Sequence, residues 1–362
     1  GKVDAGLAYS DADLVTADEA TMVLLAAIPL PMRDSYDRVG VIGFGSGMTT
    51  HALLGHSKVG QVDTVEIEPA MVEGARHMGT RVERAFSDPR SHVVIDDAKA
   101  YFASVPKKYD LIISEPSNPW MGGTASLFST EFYQYIPRQL SDDGLFVQWL
   151  QMYEINPELV NSVLAALLVN FKDAKAYLTN GGDMVLVASP NGKVPPLGAG
   201  VFQQPLLAKD LARVGIENLR DLQDTLVMNR HGLEGYLTLY PHQVNSDMFP
   251  ILKLQAPQAR FQNQRVTDSN DLGGAPWPII RHLGGPAPRA EAAAVTTHRL
   301  PLSSFHQSAE ANRIFTALLE GTEQKGSEVV AFNGLQIDSL RGLAASCTLG
   351  SLPERDTSLI FA

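Results

Sequence analysis

The chain has 362 residues, of which 44% are hydrophobic, so it is long enough for one large or two ordinary domains with a buried core. Its formal net charge of −11 disfavours a nucleic-acid partner, because an acidic chain does not neutralise phosphates. A cationic small molecule fits this charge better. A single cysteine, Cys347, excludes internal disulfides and a cysteine-based zinc site.

The sequence shows no targeting or membrane-spanning signal. No apolar run approaches the roughly 18 residues that a spanning helix needs, and the N-terminus lacks the basic and hydrophobic regions of a signal peptide. Together with the single cysteine, this predicts a reducing, cytoplasmic location. Because the chain does not open with Met, we expect a fragment or a processed chain.

The first half of the chain alternates short apolar strands with helices, a pattern that predicts a parallel sheet. Proline or hydroxyl side chains at the starts of the intervening segments support the prediction that these segments are helices. Strands are predicted at 38–44, 62–67, 92–95, 109–114, 145–150 and 184–189, and helices at 69–78, 130–140 and 156–171.

Alternating glycines follow the first predicted strand. Gly43, Gly45 and Gly47 form this turn, and Glu66 lies at the end of the second strand. Such glycines let the backbone approach a nucleotide, and an acid at this place typically binds the ribose hydroxyls. A dinucleotide site needs its third glycine where this chain has Met48. The spacing therefore favours a site of the S-adenosylmethionine type.

Three later segments carry a family resemblance. Residues 87–102, 109–134 and 140–151 resemble the spermidine synthase family of polyamine biosynthesis, in particular a bacterial branch often fused to a membrane domain. Residues 245–261 are similar to a segment of that fused branch. The resemblance implies an α/β fold of the class I methyltransferase type, Rossmann-like, with a mostly parallel seven-stranded sheet and a mainly helical C-terminal extension.

The resemblance also suggests three regions. We expect residues 1–190 to form a spermidine-synthase-like catalytic domain that binds a nucleotide of the S-adenosylmethionine type. Residues 191–272 are expected to form a mostly helical extension packed on it. Residues 273–362 are expected to form a linker and a C-terminal helical segment of unknown role. We further expect a homo-oligomer and, in the parent protein, a membrane domain as partner.

Members of the family transfer the aminopropyl group of decarboxylated S-adenosylmethionine to a diamine and release 5′-methylthioadenosine. The enzyme must supply a neutral amine in line with the carbon beside the sulfonium, so a carboxylate has to hold the ammonium and help remove its proton. The resemblance makes Glu66 the ribose-binding acid and Asp97 the acid that receives the adenine amino group, with Asp96 as a weaker candidate. Acids after strands also commonly cap the next helix. His51 and His56 lack a third ligand nearby in the sequence, so we expect no metal.

Several positions depart from the family pattern. Ser46 replaces the aspartate that grips the aminopropyl amine, and its hydroxyl could instead bind the α-carboxylate of intact S-adenosylmethionine. In the motif after the fourth strand, Glu115 keeps a carboxylate whereas Asn118 removes one. The family's Tyr-Gln pair is absent, and Thr21 and Met22 stand near its place. The predicted acceptor site is therefore less anionic than one built for putrescine.

Three functions remain open. In aminopropyl or similar transfer to an amine acceptor, Glu115 is the base and orienting acid, and Gln148 is a polar contact to the acceptor. In methyl transfer from intact S-adenosylmethionine to a small acceptor, Ser46 contacts the methionine end, and Glu115 with Asn118 holds the acceptor. The third function is a non-catalytic nucleotide-binding sensor module coupled to a membrane partner.

Further residues near the motifs have two interpretations each. Trp120 either walls the acceptor pocket or packs a loop, and Gly122 with Gly123 forms either a mobile lid or a plain turn. Asp18 and Glu19 are interpreted as acids at the start of a helix rather than as substrate ligands.

Overall fold

The computed structural model describes residues 5–8, 14–180, 182–237, 240 and 242–266. The linker and helices predicted within 273–362 lie outside the described residues.

Eight strands form one sheet. They are β1 (Tyr36–Ile42), β2 (Val59–Glu66), β3 (Ser91–Ile95), β4 (Tyr109–Ser114), β5 (Leu140–Gln151), β6 (Asp173–Asn180), β7 (Asp183–Ser189) and β8 (Leu226–Met228). Their order is β3-β2-β1-β4-β5-β7-β6-β8. Strands β1 to β5 are parallel, whereas β7 is antiparallel to β5 and β6, and β8 is antiparallel to β6. This arrangement confirms the predicted α/β class I methyltransferase-type fold with a mostly parallel sheet.

Helices cover both faces of the sheet. They are α1 (Ala17–Ala27), α2 (Met48–Leu54), α3 (Pro69–Ala75), α4 (Glu83–Ser87), α5 (Ala98–Ser104), α6 (Thr130–Tyr135), α7 (Pro157–Asn170), α8 (Pro205–Arg213), α9 (Leu219–Asp224), α10 (Arg230–Leu237) and α11 (Ile251–Phe261). One core lies between the sheet and α1, α2, α8 and α9. The other core lies between the opposite face and α5, α6, α7, α10 and α11. The described chain is therefore a three-layer α/β/α structure.

The structure differs from the predicted elements at two strands. The six predicted strands correspond to β1 to β5 and β7, and β6 and β8 are additional. Strand β8 lies within the helical extension, and its three residues are too few to show the alternating pattern of a strand. In β6, the sequence DAKAYLTN mixes small, charged and aromatic residues, which weakens its strand pattern. The sheet thus has one strand more than the predicted seven.

Two helices are also shorter than predicted. Helix α6 ends at Tyr135, and a 3-10 turn over Ile136–Arg138 follows, because Pro137 has no N–H with which to continue the α-helical ladder. Helix α3 ends at Ala75 and passes into a 3-10 segment, in which Gly79 adopts a φ of 62°. Helix α7 over Pro157–Asn170 matches its prediction closely.

The chain after β7 is built into both faces of the sheet. Helix α8 packs in the core beside α1 and α2, where Arg213 Nε donates to Glu19 at 2.7 Å and Asp210 pairs with Arg84. On the other face, Asn245 donates to the Phe128 carbonyl at 2.9 Å. Within the described part of the chain, no helix is long and apolar enough to cross a membrane.

Candidate active site

A cavity of about 530 Å³ lies at the carboxyl edge of the parallel strands. The strand order reverses between β1 and β4, and open α/β sheets bind ligands at such a point. Its walls come from the segments after β1, β2, β3 and β4, from the end of β5, from the start of β7 and from α1. The polar lining includes Asp18, Glu66, Asp97, Glu115, Asn118 and Asp183.

The glycine turn after β1 brings the backbone to the cavity. Gly43, Gly45 and Gly47 have φ angles of 94°, 51° and 85°, a region that side chains other than glycine rarely adopt. At Gly43 there is a second requirement, since an added Cβ would overlap the carbonyl oxygen of Glu115. Gly43 and Gly45 line the cavity. This turn therefore leaves open space for a ligand and holds β1 close to the segment after β4.

Glu66, at the end of β2, is fixed by two backbone amides. Its Oε2 accepts from the Phe44 N–H at 2.8 Å, and its Oε1 accepts from the Glu68 N–H at 2.9 Å. A carboxylate has about four acceptor sites, so each oxygen retains capacity towards the cavity. Glu66 does not cap α3, because Glu68 does so by accepting from the Ala70 N–H. The geometry suits a carboxylate that accepts hydrogen bonds from a diol.

The acids after β3 lie at the same cavity but are more exposed. Asp97 caps α5 by accepting from the Ala100 N–H at 2.9 Å, as the simpler interpretation expects, and it also lines the cavity. Asp96 accepts from the Asp97 N–H at 2.8 Å and lines the cavity beside it. Ile67 also lines the cavity with 69% of its surface exposed, which offers an apolar surface to a planar ring.

Glu115 lies between the glycine turn and β5. Its Oε2 accepts from the Thr49 hydroxyl at 2.6 Å. Burial raises the pKa of the Glu115 carboxyl to about 8; the Thr49 hydrogen bond opposes this increase, and repulsion from Asp183 and Asp18 adds to it. A carboxyl with a pKa near neutrality can exchange a proton with a bound ligand.

Asp183 is a cavity residue that the sequence analysis misses. It is the first residue of β7, and only 5% of its surface is exposed. Its Oδ1 accepts from Trp149 Nε1 at 3.0 Å, and its Oδ2 accepts from the Thr21 hydroxyl at 2.9 Å. Because β7 runs antiparallel to β5, its start lies at the carboxyl edge of the parallel strands. The only signal in the sequence is an acid that opens an apolar strand.

Asp18 lies in the first turn of α1, as interpreted, but it also reaches the cavity. Thr16 caps α1 by accepting from the Glu19 N–H, whereas Asp18 lines the cavity and accepts from the Gly6 N–H at 2.8 Å. Glu19 is not at the cavity; it is fully buried and pairs with Arg81 and Arg213. Asp18 and Asp183 together make the site more anionic than the sequence predicts.

Two predicted ligands face away from the cavity. Gln148 is fully buried, accepts from the Tyr133 hydroxyl at 3.3 Å and is not among the lining residues. Side chains alternate along a strand, so it is the next residue, Trp149, that reaches the cavity. The prediction that Gln148 contacts an acceptor therefore finds no support. Ser46 also lies outside the lining, and its hydroxyl donates to the Met22 sulfur at 3.0 Å.

The loop after β4 supplies one wall of the cavity. Asn118 lines the cavity and donates to the Tyr153 hydroxyl at 3.4 Å. Trp120 packs against the core with the Arg260 guanidinium 5.1 Å from its ring centre, which favours the loop-packing interpretation. Gly122 and Gly123 line the cavity, and a Cβ at either would meet nothing within 4 Å. The predicted lid and the plain turn both fit this open loop.

The two histidines on and after α2 have structural contacts. His51 accepts from the Arg84 N–H through Nδ1 at 3.1 Å, and burial followed by repulsion from Arg84 lowers its pKa to about 3. His56 accepts from the Lys58 N–H through Nδ1 at 3.2 Å, and burial lowers its pKa. Both contacts fit the helix-packing interpretation of these residues.

Sequence comparisons give one family. Residues 20–180 match the family model of the spermine/spermidine synthase domain. A polyamine aminopropyltransferase of Desulforudis audaxviator is 29% identical over 154 residues, which cover 42% of this chain and 56% of that protein. One from Pectobacterium atrosepticum is 34% identical over 125 residues, 34% of this chain and 43% of that protein. The chain spans about half the length of the curated relatives it matches.

Solved structures are similar at a lower level. Spermidine synthase from Thermotoga maritima has a TM-score of 0.44 at 20% identity and covers 55% of this chain and 75% of that chain. Human methyltransferase-like protein 13 in complex with SAH has a TM-score of 0.39 at 22% identity and covers 56% and 89%. The family match confirms the predicted resemblance over residues 20–180. This part of the chain is therefore similar to the spermine/spermidine synthase domain.

Proposed function

We propose that the chain transfers an aminopropyl group from decarboxylated S-adenosylmethionine to a small amine acceptor. The observation that carries the proposal is the position of Glu115, a carboxyl that lines the cavity beside the glycine turn and whose pKa is raised by burial to about 8. A proton acceptor at this place is what attack by an amine on a sulfonium compound requires. The names of the curated relatives, polyamine aminopropyltransferases, support the same reaction.

The nucleoside half of the ligand is assigned to the first three strands. The backbone of Gly43 and Gly45 faces the sulfonium side, Glu66 accepts hydrogen bonds from the ribose hydroxyls, and Asp97 accepts one from the adenine amino group. The fixed orientation of Glu66 supports its role, because a carboxylate already held by two amides loses little freedom on binding. Asp96 is adjacent and adds negative charge.

Glu115 performs the proton step in this proposal. The acceptor arrives as an ammonium ion, and the carboxylates of the cavity attract it. Bound positive charge favours the ionised form of Glu115, so its pKa falls and it can take a proton from the amine. The amine nitrogen then bonds to the carbon beside the sulfonium, the carbon–sulfur bond breaks, and its electron pair stays on sulfur. The products are the alkylated amine and 5′-methylthioadenosine.

Methyl transfer from intact S-adenosylmethionine is the second candidate. It is favoured by Ser46, because the glycine turn lacks the carboxylate that would repel the α-carboxylate of the intact molecule. The hydroxyl of Ser46 is turned towards Met22, however, and does not line the cavity. The direct contact to the methionine end that methyl transfer predicts is therefore weakly supported, and aminopropyl transfer remains the first candidate.

The test separates the two reactions by their products. The purified chain is incubated with intact or with decarboxylated S-adenosylmethionine, with and without a panel of amines, and the nucleoside product is identified by mass spectrometry. Amine-dependent 5′-methylthioadenosine from the decarboxylated compound supports the proposal. Formation of S-adenosylhomocysteine establishes methyl transfer instead. Binding of both compounds without either product would make the chain a nucleotide-binding sensor.

A further inference from the structure

Thr49 lies in the first turn of α2, just after the glycine turn, and only 3% of its surface is exposed. Its hydroxyl donates to Glu115 Oε2 at 2.6 Å, and the Met22 carbonyl of α1 lies 3.3 Å from the same hydroxyl oxygen. Thr49 is not among the residues that line the cavity. Any effect of Thr49 on a bound ligand therefore passes through Glu115.

The Thr49 hydroxyl has one hydrogen and two acceptors within reach. The shorter distance assigns this hydrogen to Glu115, because 2.6 Å is typical of a hydroxyl that donates to a carboxylate. When Glu115 takes up a proton and this bond weakens, the Met22 carbonyl remains as an acceptor, since a carbonyl has two lone pairs. The hydroxyl is therefore paired in both protonation states of Glu115.

The two oxygens of Glu115 have different surroundings. In the described part of the chain, Thr49 is the only group that donates a hydrogen bond to this carboxylate, and Oε1 has no hydrogen-bond partner there. The side chain lines the cavity, so Oε1 is the oxygen that remains for a ligand. The contact with Thr49 thus fixes which oxygen of Glu115 faces the reacting group.

The charges around Glu115 make this contact important for its ionisation. Asp18 of α1 and Asp183 of β7 both oppose the ionised form, and burial opposes it further. Lys99 of α5 also lines the cavity, but its ammonium is paired with an aspartate of the segment before α11. The hydrogen bond from Thr49 acts in the other direction and lowers the pKa of Glu115.

We propose that Thr49 is a positioning residue that holds Glu115 Oε2 and leaves Oε1 as the atom that takes the proton of the acceptor amine. The inference rests on the proposed function and adds to it the residue that orients its base. In the proton step, Oε1 bonds to the proton, and the electron pair of the N–H bond stays on nitrogen. Thr49 keeps its own hydrogen throughout, so it is not itself a proton donor to the ligand.

Infrared titration of the full chain measures the ionisation of Glu115 without relying on turnover. The carboxylic-acid band that is absent in Glu115→Gln identifies the group, and in wild type its loss with rising pH should give a pKa of about 8. Thr49→Val keeps the shape of the side chain without its hydroxyl. It should raise this pKa to about 9 or above, because the ionised form loses a charge-assisted hydrogen bond. Thr49→Ser should restore the wild-type value.

Thr50 offers a matched control on the same helix. It is 1% exposed, and its hydroxyl contacts the Thr64 hydroxyl at 2.7 Å instead of Glu115. Thr50→Val should therefore leave the pKa of Glu115 at about 8. In the nucleoside-product assay, the acid limb of the pH profile of kcat/KM should move to higher pH in Thr49→Val but not in Thr50→Val. Affinity for 5′-methylthioadenosine should change by less than about twofold in both variants.

An equal Glu115 pKa in wild type and Thr49→Val would overturn the inference and leave the proposed function intact. An equal rise in Thr49→Val and Thr49→Ser would also overturn it, because packing and not the hydroxyl would then be responsible. Failure of the proposed function gives a different result: wild type forms no 5′-methylthioadenosine with any amine. That result removes the proton step as well, even where the pKa of Glu115 responds to Thr49→Val.

Discussion

Replacing Gly43 by alanine should cost far more stability than the same change at Gly215. Both residues have a left-handed φ, 94° at Gly43 and 80° at Gly215, so both substitutions impose a backbone strain of about 1–2 kcal/mol. A Cβ at Gly215 meets nothing within 4 Å. At Gly43 it would lie much closer to the Glu115 carbonyl oxygen than the 3.0 Å below which real Cβ atoms are essentially not found.

Relief of that overlap requires β1 and the segment after β4 to separate. One backbone hydrogen bond joins these two segments, from the Glu115 N–H to the Ile42 carbonyl at 2.9 Å, and the Gly43 N–H donates to the Val65 carbonyl of β2 at 2.9 Å. Loss of either leaves buried groups unpaired at about 1–3 kcal/mol each. Gly43→Ala should therefore lower the free energy of unfolding by about 3 kcal/mol or more, against about 1–2 kcal/mol for Gly215→Ala.

Urea unfolding of the two variants measures these differences, and titration with 5′-methylthioadenosine measures nucleoside affinity. We expect Gly215→Ala to retain wild-type affinity, because Gly215 does not line the cavity. Gly43→Ala should lose affinity even below its unfolding transition. Equal destabilisation by both changes would show that the close approach of β1 to Glu115 contributes nothing beyond backbone conformation, which refutes the reasoning.

Two further predictions concern the cavity acids. Glu66→Gln should weaken 5′-methylthioadenosine binding about tenfold, because the hydrogen bonds from the ribose lose their charged acceptor. The exposed control variant Glu83→Gln should bind with wild-type affinity. Unchanged affinity in Glu66→Gln would remove Glu66 from the ribose site. Glu115→Gln should abolish product formation and leave nucleoside affinity nearly intact. It should also alter the pH dependence of stability. The folded-state pKa of Glu115, about 8, lies above its ordinary value of 4.5, so this group stabilises the fold at low pH, and its contribution is lost as pH rises through 8. Urea unfolding from pH 5 to 9 should therefore show a smaller decline in the variant, and identical profiles would contradict the raised pKa.

The proposed nucleotide half of the site can be predicted from the sequence because its signals are local. The glycine turn and Glu66 belong to one strand–turn–helix–strand unit, so spacing alone places them together. Glu115 follows a strand that pairs directly with β1, and its position is predicted for the same reason.

The acceptor half depends on topology that spacing does not reveal. Asp183 reaches the cavity because β7 inserts antiparallel between β5 and β6, which turns the start of a strand towards the carboxyl edge. Asp18 reaches it from the first turn of α1, a helix that Thr16 caps. The prediction that Gln148 contacts the acceptor is wrong for another reason. Successive side chains of a strand point to opposite faces of the sheet, and the apolar run in β5 does not show which of these faces borders the cavity.

The three-residue strand β8 has a consequence for how the chain can be divided. It pairs with β6, the strand that would otherwise end the sheet, and α10 and α11 of the same region fill the core on one face. A chain shortened to end at residue 190 would bare the hydrogen-bonding edge of β6, a template for pairing between molecules. The truncation would also remove Arg213, which forms a salt bridge with the buried Glu19. The family match ends at residue 180, but the packed cores and the sheet extend through α11.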